Sequence, residues 1–332
     1  MTSDSVRWGF IGAGFIATAA LAPAVHRAAG AELEAAAARD RQRAESLEPK
    51  RAYSRYQDLL DDQNVEAVYI SLTNDAHLPW IRAALRAGKH VLCEKPLTLD
   101  ANECRDAQAA AHDAGLILVE ATWMRWHPRY RRADALLGRG SSGSIRSVRS
   151  TFTFDGVPDS NYRLDAALGG GALLDLGPYV LAPAVDWCPQ DWTSISGHCT
   201  LNERSADLTA NATVSSPRTT ADIHVSIVEA EQQLLTVTAE GLSIDWEGEP
   251  FTSWQSESWL ALTEESRQWR ESFEPCDAYQ LMVEHVSRAI RGDEEAFLPS
   301  QSLSLDTARL IDDIKVQTGI VMDLNRADSV PT

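Results

Sequence analysis

The chain predicts an α/β N-terminal domain, built on a doubly wound parallel sheet, followed by an α+β domain with an open, mostly antiparallel sheet. Residues 1–124 form the first and 125–332 the second. Three observations carry this. A glycine-rich turn follows the first strand at WGFIGAGFIA, and β-type runs alternate with amphipathic helical patterns through the first ~120 residues. Beyond Pro128 strand patterns succeed one another with short polar turns. At 332 residues the chain also exceeds what one hydrophobic core ordinarily holds.

In order, Val6–Gly12 reads as a strand and Phe15–Ala29 as a helix. Glu32–Ala38 and Asp40–Leu47 repeat that pair, and the buried strand Glu66–Ser71 leads into the helix Ala76–Ala87. Lys89–Cys93 is the next strand, Asp100–Ala114 the next helix, and Leu116–Ala121 closes the series. In the second half Ile145–Phe154, Ile195–Leu201, Ala206–Val214, Thr219–Val228 and Gln233–Trp246 read as strands, interrupted by the helical segment 170–187. Two terminal helices follow, Asp277–Arg291 and Ser302–Thr318, expected to pack back on the first domain.

Composition narrows the function. A net charge of −18 repels phosphate, which excludes nucleic acid and an anionic membrane as partners. No stretch approaches the ~18 apolar residues of a membrane span, and the N-terminus lacks signal-peptide patterning, so the chain is expected in the cytoplasm. The five cysteines are scattered without a CxxC pair, and no histidine spacing suggests a metal site. Lysine occurs only at 50, 89, 95 and 315, which draws attention to each one.

Gly12-x-Gly14-x-x-Ala17 lies directly between a strand and a helix. There the first glycine makes the turn, the second admits a pyrophosphate, and the small third residue allows close packing; Phe15 and Ile16, in the same turn, are expected with them to contact the cofactor. This is the dinucleotide fingerprint of a Rossmann domain. Where an NAD-binding domain ends its second strand with an acid, this chain has AAAARDRQR, placing Arg39 at the expected point with Arg43 close behind. A guanidinium fork suits a ribose 2′-phosphate, so NADP(H) is favoured over NAD(H), although Asp40 is open to use as helix cap or ribose ligand.

Two further motifs bear on chemistry. In HVLCEKPLTLD, Glu94, Lys95 and Pro96 fall at the carboxyl end of a strand, where open α/β sheets bind ligands. In GGGALLDLGPY, three glycines lead to Asp175 and, one helical turn later, Tyr179. Asp175 also fits the N-cap of a helix beginning at Leu176, with Pro178 tolerated in its first turn.

These motifs, with VYISLTNDAH upstream and YQLMVEHVSRAIRGD and LPSQSLSLDTARLIDDI downstream, resemble the glucose–fructose oxidoreductase/inositol dehydrogenase (Gfo/Idh/MocA) family over nearly the whole chain. AARD, EATWMRWHPRY and LDLGPY look most similar to its dimeric dihydrodiol dehydrogenase and NADP-dependent D-xylose dehydrogenase branch. The resemblance implies catalytic Lys95 and Tyr179, assisted by Asp175. It implies cofactor contacts from Leu72, Asn74, His77, Glu94, Lys95 and Pro96, and pocket walls including Trp123, Arg125 and Arg163.

The chemistry agrees. Moving a hydride to or from a carbinol carbon requires a group that moves the hydroxyl proton. Tyr179 supplies it if the Lys95 ammonium lowers its pKa. The expected reaction is NADP(H)-dependent oxidation or reduction of a sugar, polyol or cyclic vicinal diol, without a metal. A non-catalytic dinucleotide sensor and a redox-elimination glycosidase of the same fold are the alternatives. An open, apolar sheet face is expected to pair two copies as a homodimer, or four as a tetramer.

Overall fold

β1 (Val6–Ile11) runs into Gly12, whose φ of +95° and missing side chain are both needed: a Cβ there would lie 2.2 Å from the Ser71 carbonyl oxygen. The expected helix from Phe15 begins as a π turn over Ala17–Leu21 and continues as α1 (Ala22–Arg27), with Pro23 in its first turn. The computed structural model describes residues 5–138 and 145–320, so the outermost limits drawn for the two domains lie outside the described residues.

β2 (Ala31–Ala37), α2 (Arg41–Glu45), β3 (Arg51–Tyr53), α3 (Tyr56–Leu60), β4 (Ala67–Ile70), α4 (His77–Arg86), β5 (His90–Cys93), α5 (Ala101–Asp113) and β6 (Leu118–Glu120) complete the alternating series. The sequence pattern misses β3 and α3, because three and five residues carry too little periodicity to register. All pairings are parallel in the order β3-β2-β1-β4-β5-β6, so the carboxyl ends of β1, β4 and β5 converge at the centre of one edge.

After α6 (Pro128–Leu137) comes the long strand β7 (Ile145–Thr153), then α7 (Ala172–Val180) and α8 (Ala182–Trp187). Seven strands follow: β8 (Ser194–Leu201), β9 (Asp207–Ser215), β10 (Thr220–Ser226), β11 (Gln232–Ala239), β12 (Leu242–Glu247), β13 (Ser258–Glu264) and β14 (Arg267–Phe273). The single strand expected over Gln233–Trp246 is a hairpin, turned at Glu240-Gly241 with Gly241 at φ +79°. The tryptophan-rich segment after residue 251 adds the edge hairpin β13–β14. The eight-stranded sheet is antiparallel except where β7 meets β10.

The sheet face lined by Arg149, Thr151, His198, Asn211, Thr213, Asp222 and His224 is polar. Over β7–β10, therefore, the fold does not present the apolar face on which the expectation of a homodimer rested. α9 (Ala278–Ile290) and α10 (Gln301–Thr318) lie against the first domain. Trp8 donates to Ser287 at 3.1 Å, and Ala101 N–H to Asp312 at 2.9 Å. No helix of the described residues is long and apolar enough to cross a membrane.

Candidate active site

Glu94, Lys95 and Pro96 follow β5 at the sheet's carboxyl edge, and the Lys95–Pro96 bond is cis. The segment is held from several sides. Glu94 accepts the Tyr69 hydroxyl at 2.7 Å, His77 Nδ1 lies 2.8 Å from the Pro96 carbonyl, and Glu120 accepts the Leu97 N–H at 2.9 Å. Burial pushes the Glu94 carboxyl up, with the Lys95 charge acting against it. His77, expected to contact the cofactor, has no exposed surface; it props the loop that carries Lys95.

The opposing wall is built by the triple glycine. A Cβ on Gly170 would fall within 2.7 Å of three backbone carbonyl oxygens, and one on Gly171 (φ +117°) would lie 2.0 Å from the Asp207 carboxylate. α7 starts at Ala172, so Asp175 is the fourth residue of the helix and not its cap. Asp207, from the start of β9, takes the capping role by accepting the Leu173 N–H at 2.7 Å.

Pro178 sits inside α7, where it removes a backbone donor from the helix. On the preceding turn the Asp175 carbonyl accepts Lys95 Nζ at 2.6 Å, and its Oδ1 accepts the same ammonium at 3.0 Å. Arg163 Nε donates to the other carboxylate oxygen at 2.6 Å. Burial alone would raise the Asp175 carboxyl, but Lys95 and Arg163 hold it well below the usual range. Lys95 is penalised by burial and more than restored by Asp175, so it keeps its charge.

Lys95 Nζ lies 4.9 Å from the centre of the Tyr179 ring. The expectation that this ammonium lowers the phenol's pKa holds only in part. Burial pushes Tyr179 above its ordinary value, and Lys95, helped by the Trp123 indole N–H, offsets this without reversing it. Sequence reasoning undervalued what surrounds the ring. Phe152 packs edge-on at 5.9 Å and Phe251 lies tilted at 6.2 Å, while Tyr279 packs tilted against Trp123 at 5.8 Å. Phe251 begins a segment, 250–275, that the sequence offers as pocket wall, whereas Phe152 sits on a predicted strand with nothing to mark it; only the tertiary fold brings both to Tyr179.

Of the three expected wall residues, Arg163 and Trp123 are brought to Tyr179 and Asp175. Arg125 is not. Its fork grips Asp186 through Nε and Nη2, both at 3.0 Å, and both side chains are sealed from solvent. From sequence alone the two arginines look alike, because the pairing with Asp186 spans 61 positions.

The glycine turn lies beside this centre. Gly14 packs on Ser71, Ala17 is fully buried against the strand, and Leu72 closes on Gly12. Phe15 is 79% exposed, leaving an open apolar surface at the start of the helix, beside the half-buried Ile16. Asp40 caps α2 by accepting the Gln42 N–H at 2.9 Å. Arg39, just after β2, and Arg43, on α2, are exposed, and Arg43 reaches back to the Ala13 carbonyl in the glycine turn. Burial pushes the Tyr56 phenol up, and the charges of Arg39 and Arg43 act against it. Asn74 donates to the Gly169 carbonyl at 2.8 Å, tying the cofactor edge to the triple glycine. Among the described residues, no group of three or more His, Cys, Asp or Glu side chains is placed to hold a metal ion.

The chain is similar to several known proteins. A D-xylose 1-dehydrogenase (NADP(+)) from Haloferax volcanii is 32% identical over 96% of this chain and 99% of its own length. A trans-1,2-dihydrobenzene-1,2-diol dehydrogenase from Mus musculus is 37% identical, over 53% of this chain and 54% of its own. The chain spans about half the length of most of the curated relatives it matches. A 3-ketoreductase from Actinomadura kijaniata, solved with NADP and TDP-benzene, superimposes with a TM-score of 0.84 at 27% identity, covering 95% of this chain and 98% of that one. Solved variants of that reductase replace a lysine by alanine and a tyrosine by phenylalanine at positions 84 apart, the separation of Lys95 and Tyr179. The oxidoreductase family with an NAD-binding Rossmann fold matches residues 6–122, and the GFO/IDH/MocA C-terminal domain matches residues 130–244. With both domains matched in order and a relative aligned from end to end, the chain belongs to the Gfo/Idh/MocA oxidoreductase family.

Proposed function

We propose that the protein is an NADP(H)-dependent oxidoreductase acting at a carbinol or carbonyl carbon of a sugar, polyol or cyclic vicinal diol. Tyr179 is its proton donor and acceptor, and Lys95 assists. The observation that carries this reading is the Lys95 ammonium 4.9 Å from the Tyr179 ring, at the carboxyl edge of the parallel sheet. The residues present fit the cofactor: Gly12 and Gly14 clear a backbone surface, and Arg39 is exposed where a 2′-phosphate would meet it. Arg43 is partly engaged by the Ala13 carbonyl, which makes Arg39 the principal phosphate ligand.

The bound nicotinamide supplies or accepts the hydride. The rest falls to this chain. In reduction Tyr179, kept protonated by burial, gives its proton to the nascent alkoxide. Lys95 and Arg163 both face Asp175, so two positive charges meet one negative at that carboxylate; burial favours the neutral form of the neighbouring Glu94, and the surplus favours the oxyanion on either the substrate or Tyr179. In oxidation the same surplus stabilises the phenolate that must take the substrate proton. Asp175 orients Lys95, and Trp123 with the neighbouring aromatic rings forms the wall around the phenol.

A panel of aldoses, ketosugars, polyols and dihydrodiols, followed at the nicotinamide absorbance with NADP+ or NADPH, tests this. Turnover is expected with at least one, and Tyr179→Phe should lower kcat by ~10²–10⁴-fold with NADPH still bound. A Tyr179→Phe variant at full rate would overturn the mechanism. Tight NADPH binding with no turnover on any compound would favour the sensing alternative.

A further inference from the structure

The first turn of α7 carries an arrangement that the reaction scheme does not use. Asp207 is 2% exposed, opens β9 of the second sheet, and aims its carboxylate at the helix start. Oδ2 accepts the Leu173 N–H at 2.7 Å, and Oδ1 occupies the space where any residue other than glycine at 171 would place its Cβ, 2.0 Å away. Gly171 and Asp207 are therefore a matched pair: the helix can begin here only without a side chain, and only against this carboxylate. Burial pushes Asp207 up to about 6, against the pull of the Leu173 and Ala172 N–H groups and of Lys315 on α10. A carboxylate this deep is costly unless its hydrogen bonds fix something.

What they fix is the platform of the active site. The Asp175 N–H bonds back to the Gly171 carbonyl at 3.1 Å, and Asp175 then holds Lys95 through both its carbonyl and its carboxylate. Tyr179 lies one turn further along the same nine-residue helix. A small rotation of the first turn would move the partner of Lys95 and the phenol together.

We infer that Asp207 is a positioning residue for the reaction: from the second sheet it sets the start and rotation of α7, and so the placement of Asp175, Lys95 and Tyr179. This rests on the reading that Lys95 and Tyr179 move the proton. The carboxylate touches neither substrate nor cofactor and acts only through the helix.

The test compares Asp207→Ala and Asp207→Asn by hydrogen exchange at residues 172–180, NADPH binding, and turnover of whichever panel compound the wild-type chain uses fastest. Asp207→Ala should speed exchange in α7 alone, leave NADPH affinity within about twofold, and lower kcat by ~10–10²-fold, the scale set by misplacing a reacting group. Asp207→Asn keeps an acceptor for Leu173 and should recover kcat to within about threefold of wild type. If Asp207→Ala does not fold, Asp207→Glu takes its place, because the longer side chain keeps the charge but displaces the cap; the same kcat loss is expected. Unchanged α7 exchange, or equal impairment of the Ala and Asn variants, would overturn the inference. A wild-type chain inert toward the whole panel would instead sink the functional reading, whatever the exchange shows.

Discussion

Two buried arginine–aspartate pairs in this molecule share their chemistry and differ in their use. Arg125 and Asp186 are sealed, with side-chain exposures of 2% and 0%, and every strong group is spent: Thr122 accepts from Arg125 at 2.8 Å and Tyr130 donates to Asp186 at 2.6 Å. One positive charge meets one negative, and the result is a fixed joint between the turn after β6 and α8. Arg163 and Asp175 are 30% and 5% exposed, and Lys95 joins the same carboxylate. Here the charges do not balance. The surplus positive charge beside Tyr179 is uncomfortable in a resting fold and useful when a phenolate or alkoxide forms. An ion pair thus points to catalysis through its imbalance and its access, not through its burial.

The largest effect should come from erasing that imbalance. Lys95→Met leaves Asp175 with Arg163 alone, the charge state of the sealed pair, and should lower kcat by ~10²–10⁴-fold while the melting temperature changes little. Steady-state kinetics beside thermal melts decide this; a variant retaining more than a tenth of wild-type kcat would show that the surplus charge is idle. The opposite result is expected at the sealed pair. Arg125→Met abandons Asp186 in the interior and should cost ~3–5 kcal/mol of stability in denaturant unfolding, with kcat per folded molecule nearly unchanged. A large loss of kcat with normal stability would return Arg125 to the pocket wall.

The same contrast explains what was legible in the sequence. The first domain announces itself because its signals are local: a glycine turn, strand ends and helix patterns within a few tens of residues. Lys95 is visible because lysine is rare in this chain and EKP closes a strand. Asp175 and Tyr179 are visible because one short motif holds both. Arg125, by contrast, sits in the conspicuous run EATWMRWHPRY, and nothing near it marks Asp186 as its partner. Asp207 was missed for the same reason: its target amide lies 34 positions upstream. The hairpins of the second sheet blurred because a strand that alternates through a two-residue turn reads as one long strand. Non-local pairing, which folding supplies through tertiary contact, has no periodicity to read.

The smallest effect tests geometry apart from charge. Arg163 gives Asp175 two N–H groups of its fork, Nε at 2.6 Å and Nη2 at 3.3 Å, and its guanidinium lies 5.2 Å from the centre of the Tyr162 ring. Arg163→Lys keeps the surplus charge but gives up the fork and the planar face over Tyr162. If charge is what distinguishes this pair from the sealed one, kcat should fall by only ~3–10-fold, equivalent to about a kcal/mol of hydrogen bonding. The partly exposed side chain should leave stability within ~0.5 kcal/mol of wild type. A loss as deep as that of Lys95→Met, measured on the same substrate at the same pH, would mean that the fork's alignment of Asp175 matters more than the number of charges around it. The contrast between the two pairs would then rest on orientation, and Asp175, rather than the surplus it gathers, would be the group that the site is built to hold.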